Sequence, residues 1–274
     1  MTEKIGIIAG EGKMPLYIAQ KAAQKGYEVV IAGIKGNARE EDFKHITGVF
    51  RPLRLGQLGA GLEFFKSHGV KKILMAGRVQ HTSIFANLMP DLRGAKFLAS
   101  LKNMGTQYLL SRVIDEFKKE GIEFTNSALF LEDFMPGKGV LTKRPPTPQE
   151  TQAASFGFKI AKTVAGLDIG LTCVVSQNAT IAVEGMEGTD KCILRAGELY
   201  KKSADKESAV AVVKVARPQQ DERFDLPVIG KGTVESLKKA GFKMLAFEAG
   251  KTLVLDLEDV IRLADKYGIT VAAI

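Results

Sequence analysis

The chain has 274 residues, 45% hydrophobic and 26% charged, a balance that excludes a disordered chain and allows buried cores for two domains. Its formal charge of +8 and pI near 9.3 favour anionic partners, yet no basic segment is interleaved with aromatics, so no nucleic-acid binding is expected. No apolar run approaches the roughly 20 residues that cross a bilayer, and "MTEKIGIIAG" lacks the apolar length of a signal peptide; a cytoplasmic protein is expected.

In chain order, "KIGIIA" reads as a strand and "GEGKMP" as a turn, with Pro15 suited to the first position of a helix that runs to about Lys25. Gly26 closes that helix, and "YEVVIAG" is the next strand. A helical pattern over residues 58–67 ends at Gly69, and "VKKILMAG" is a third strand. Residues 91–120 read as mainly helical and "GIEFTNSALFL" as strand-like. Strands separated by helix-length segments predict a Rossmann-like N-terminal domain with a parallel sheet over residues 1–134. Pro145, Pro146 and Pro148 break the rhythm, so residues 135–151 are expected to be a Pro-rich linker.

Beyond it, a helix ("QAASFGFKIAKTVAG") precedes two consecutive strand runs, "LTCVVSQ" and "TIAVEG". A helix from about Thr189 to Lys202 and the strand "AVAVVKVA" follow. A charged loop comes next, then a helix near residues 234–240, two short strand runs, a helix near 257–266 and "ITVAAI". Adjacent strands predict a mixed α+β C-terminal domain over residues 152–274.

Cys173 and Cys192 have no paired spacing and read as reduced, apolar thiols. His45, His68 and His81 are scattered and make no zinc pattern, so a metal site would rest on oxygen ligands, which suits Mg2+ or Mn2+.

Three stretches are candidates for chemistry. Gly10-Glu11-Gly12 follows a strand and precedes a helix, where backbone N–H groups can meet a phosphate. A dinucleotide fingerprint fails there, because Pro15 takes the third glycine position and no acid follows the second strand. Arg78 lies just beyond a strand's carboxyl end, where open α/β sheets bind ligands. In "EGMEGTDKCILR", Glu187, Thr189 and Asp190 are either a helix start capped by Thr189 or Asp190, or a grouping that holds a divalent cation. In "AVAVVKVARPQQDERFDLPVIG", alternation puts Lys214 on one apolar face with Val210 and Val212, so its ammonium should meet an anion. Arg217, Gln220, Arg223 and Asp225 then follow between Pro218 and Pro227.

Taken in order, "GIIAGEGKMP", "LMPDLRG", "LDIG", "AVEGMEGTD" and "RPQQDERFDLPVIGKGTV" resemble the LpxI-type UDP-2,3-diacylglucosamine pyrophosphatases along essentially the whole chain. The resemblance implies a two-domain, Mg2+-dependent (Mn2+ as an alternative) cytoplasmic hydrolase that converts UDP-2,3-diacylglucosamine to UMP and 2,3-diacylglucosamine 1-phosphate in lipid A biosynthesis. It implies an enzyme peripherally associated with the anionic inner face of the inner membrane. A homodimer is the default expectation. The family's essential acid falls on Asp225, with Asp190 second; both are expected metal ligands, Asp225 alternatively the general base, and Lys214 and Arg223 join them as catalytic residues. Gly10, Gly12, Arg78, Glu187, Thr189, Arg217 and Gln220 are expected to bind substrate. One departure stands out: Gly105-Thr106-Gln107 occupies a place where family members carry Gly-Asp-Asp. This keeps a second expectation open, a non-catalytic or altered-specificity nucleotide-sugar-binding regulatory protein.

Overall fold

A computed structural model describes residues 2–79, 88–102, 106–177, 179–202, 209–218 and 226–274, with backbone alone at 106–107 and 127–128. The chain divides into two compact units, the first ending at Leu131 and the second beginning at Glu132.

The first unit is built on five parallel strands: β1 (Lys4–Ala9), β2 (Glu28–Ile34), β3 (Phe50–Leu53), β4 (Lys72–Ala76) and β5 (Glu123–Phe124). Their spatial order is β3-β2-β1-β4-β5, so the sheet grows outward in both directions from β1 and β4. Helix α1 (Met14–Gln24) joins β1 to β2, with Pro15 in its first turn as the sequence predicts. Helix α2 (Leu58–Ser67) joins β3 to β4, and α3 (Leu92–Ala99) and α4 (Thr106–Lys119) lie between β4 and β5. Val30, Ala32 and Ile73 of the sheet pack with Leu62 and Phe65 of α2 and Phe117 of α4. Phe64 and Phe65 are both buried in this core. Strand β3 escapes the sequence reading because Pro52 sits in it; the sheet tolerates that proline at its edge. The Asp91 carboxylate of "LMPDLRG" caps two helices at once, accepting from Gly94 N at 2.7 Å and from Ala60 N of α2 at 2.9 Å.

The second unit holds β6 (Gly139–Val140), β7 (Thr172–Ser176), β8 (Ala179–Val183), β9 (Val210–Lys214), β10 (Val228–Ile229), β11 (Met244–Phe247), β12 (Leu253–Val254) and β13 (Thr270–Ala273). Six of these form one sheet in the order β6-β13-β11-β9-β7-β8, while β10 and β12 pair separately. Strands β9, β11 and β13 are parallel; β6, β7 and β8 run antiparallel to their neighbours, the mixed sheet that adjacent strand runs predicted. Helix α5 (Pro148–Gly166) covers one face through Ala153, Ala154, Ala161 and Ala165. Helices α6 (Thr189–Lys201), α7 (Lys231–Ala240) and α8 (Leu257–Tyr267) cover the other through Ile193, Leu237 and Val260. Cys173 and Cys192 are free and buried, and burial pushes both thiols up to about 12.

Residues 135–151 are not a free linker. Strand β6 pairs with β13, and α5 already begins at Pro148, a position where a missing N–H costs nothing. Thr147 and Glu150 form a reciprocal capping box, and Arg144 holds the buried Glu150 carboxylate at 2.9 and 3.0 Å. The prolines stiffen a segment that is built into the second unit.

Candidate active site

In the first unit, the order of strands reverses between β1 and β4, and the loops leaving their carboxyl ends are zipped together. Gly10 N donates to Ala76 O at 2.8 Å, Glu11 N to Arg78 O at 2.8 Å, and Arg78 N to Glu11 O at 2.9 Å. A Cβ on Gly10 would stand 2.8 Å from Arg78 O, and one on Gly77, at φ +87°, would stand 2.8 Å from Glu11 O. Glycine is thus required by backbone approach. Gly10, Gly12 and the exposed Arg78 gather at the crevice where open parallel sheets hold ligands.

The second unit presents a denser group at the carboxyl ends of β9 and β11. Lys214 ends β9, opposite Thr172 and Phe247, and is 6% exposed. Its ammonium donates to Thr189 Oγ1 at 2.5 Å, and that hydroxyl donates to Glu184 Oε1 at 2.9 Å. Thr172 Oγ1 lies 3.3 Å from Thr189 Oγ1, and Leu171 N donates to Glu184 Oε2 at 3.3 Å. The buried ammonium thus contacts a hydroxyl that is itself bonded to a carboxylate. Glu184 was not singled out in the sequence; its one local signal is a carboxylate immediately after a strand end.

Neither Thr189 nor Asp190 caps α6. Gly188 is the N-cap, at φ +82°, with no side-chain cap; the Thr189 hydroxyl is instead turned toward Lys214 and Glu184. Asp190 Oδ1 accepts from Thr233 Oγ1 at 3.2 Å, tying the start of α6 to the start of α7, whose N-cap Gly230 also lacks a side-chain cap. Two helix N-termini, each carrying partial positive charge, thus meet here. Glu187 does not join Asp190: Arg195 holds its carboxylate at 2.5 Å, Gly185 N donates to it at 3.0 Å, and Arg195 keeps it below the usual carboxylate range. Arg217 Nε donates to Asp168 Oδ1 at 2.8 Å.

At the exit of β9, the main chain of Ala216 is gripped from both sides. Lys162 Nζ donates to Ala216 O at 2.8 Å and to the buried Glu248 carboxylate at 3.0 and 3.2 Å, while Ala216 N donates to Glu248 Oε2 at 3.0 Å. Burial pushes the Glu248 carboxyl up, but Lys162, Lys251 and the Ala216 N–H together hold it below its ordinary value. Because the native pKa is lowered, this stability is full above about pH 5 and is lost as pH falls through the native value. Glu248→Gln should cost about 1–3 kcal/mol at pH 7, seen as a lower urea midpoint. That gap should close as pH falls through the lowered native value; a gap constant with pH would refute the assignment.

Gln220, Arg223, Asp225, His81 and Gly105 lie outside the described residues. The chain is described again from Leu226, and Pro227 O accepts from Leu253 N at 2.8 Å. Among the described residues, no three His, Cys, Asp or Glu side chains gather as a metal site.

The two units define a two-domain α/β protein, each with an open sheet that presents glycine turns and cationic side chains at the carboxyl ends of parallel strands. The LpxI N-terminal domain model matches residues 4–134 and the LpxI C-terminal domain model residues 137–272. The chain belongs to the LpxI family. It is similar to the UDP-2,3-diacylglucosamine pyrophosphatase LpxI of Caulobacter vibrioides, 32% identical over 277 residues, covering 99% of this chain and 97% of that protein. Looser overlaps with solved structures carry no inference. They include WbmG of Bordetella bronchiseptica with NAD and UDP (12% identity, 100% of this chain, 82% of that one, TM-score 0.37). Another is a UDP-glucose 4-epimerase of Thermotoga maritima with UDP-glucose (11%, 94%, 71%, TM-score 0.34).

Proposed function

We propose that this chain hydrolyses the pyrophosphate bond of UDP-2,3-diacylglucosamine, giving UMP and 2,3-diacylglucosamine 1-phosphate in lipid A biosynthesis. The observation that carries this reading is the match to a so-named relative along 99% of the chain, through both units.

Pyrophosphate hydrolysis needs neutralised phosphate charge, a placed water and a stabilised leaving group. Lys214 and the two N-termini without side-chain caps, those of α6 and α7, supply fixed positive charge at one edge of the second unit's sheet. In our reading Arg217 and Arg223 add further positive charge, the Thr189 backbone N–H at the start of α6 and the Gln220 amide donate hydrogen bonds, and Asp225 holds the attacking water or a cation. The Gly10, Gly12 and Arg78 crevice suits an anionic part of the substrate. Asp190 is an exposed hard oxygen donor of the type magnesium takes, and we assign it with Asp225 to Mg2+. The cation would neutralise phosphate charge and polarise a phosphoryl oxygen.

A diacylated substrate places the enzyme at a membrane surface. The +8 charge favours anionic lipid, and no helix among the described residues is long and apolar enough to cross a membrane. The test is incubation of purified protein with UDP-2,3-diacylglucosamine and Mg2+, followed by phosphorus NMR. UMP and the sugar 1-phosphate are expected. Binding without product would favour the regulatory reading.

A further inference from the structure

We infer that loops 167–170 and 185–188 of the second unit form an apolar lip that inserts into the lipid bilayer holding the substrate; the choice of a bilayer rests on the function proposed above. Three large apolar side chains stand out from these loops: Leu167 is 67% exposed, Ile169 52% and Met186 98%. The loops are neighbours, backbone against backbone, since a Cβ on Gly170 would collide with Glu184 O.

Both loops are held by charge. Asp168 takes a left-handed conformation, φ 58°, and Arg217 grips its carboxylate at 2.8 Å. Glu187 bonds back to Gly185 N and is paired with Arg195. The single acid in each loop is thus matched by an arginine, which lowers the cost of bringing the loops to a low-dielectric phase. Adjacent apolar side chains kept in water on braced turns mark a surface that another apolar phase covers. The lip also adjoins the site, because Glu184, two residues before Met186, accepts the hydroxyl that Lys214 contacts.

The chain has no tryptophan, so Met186→Trp creates a reporter for one position. With vesicles of phosphatidylethanolamine and phosphatidylglycerol, its emission should shift to the blue and be quenched by brominated acyl chains. A Leu199→Trp control, about 15 Å along α6 from its start, should not respond. Replacing Leu167, Ile169 and Met186 together by serine should weaken vesicle binding at least about tenfold. The triple variant should hydrolyse detergent-dispersed substrate at the wild-type rate and vesicle-embedded substrate more slowly. Emission from the Met186→Trp variant that vesicles leave unshifted would overturn the lip. So would a blue shift without lipid that tracks a doubled mass by light scattering, because a second copy would then cover it. The fluorescence result stands whether or not wild-type protein releases UMP, so the two readings fail separately.

Discussion

Lys214→Met should lower the rate of UMP release at least about a hundredfold while the protein stays folded. The ammonium ends β9 on the same face as Val210 and Val212, which pack in the core beneath α6, α7 and α8. Methionine fills similar volume without the charge. A residue kept at such a position for packing alone would be apolar. The loss should appear in kcat at saturating substrate, because the charge is worth most as negative charge develops on the transferring phosphoryl group. A variant with wild-type kcat, or one that unfolds well below the wild-type Tm, would show that Lys214 serves the fold.

Asp225→Asn should remove turnover to background, at least about a thousandfold, with little change in Tm. The substitution keeps size and loses only charge and basicity, so a folding effect is not expected. The role is inferred from the resemblance of "RPQQDERFDLPVIG", and it distinguishes Asp225 from its neighbours: Asp221→Asn and Glu222→Gln should keep rates near wild type. Full activity in Asp225→Asn would sink the assignment; equal losses at all three acids would show a general charge requirement in the loop.

Much of this was legible locally. Alternation put Lys214 among apolar residues, and the structure finds it 6% exposed at a strand end. The glycine turn after β1 and Arg78 after β4 were readable as a ligand edge, because a strand, a glycine and a helix start are neighbours in sequence. Short elements without their own periodicity were not readable. Strand β3 carries a proline, and β6 and β10 have two residues each; all three exist because a partner strand pairs with them.

By itself, then, the sequence determined an α/β domain with a parallel sheet, a second domain of mixed α+β type, a net positive charge, a buried lysine feeding a charged loop, and membership in a family whose motifs occur in order along the chain. Only the tertiary structure decided what that lysine meets. Thr189 and Glu184 precede it by a helix and more, and Asp190 reaches Thr233 across two helix starts. It also decided that the proline-rich stretch is an edge strand and a helix cap. Periodicity is a property of neighbouring residues and can be read along the chain. The partner of a side chain is set by which strands lie side by side, and that is settled when distant apolar faces are buried together.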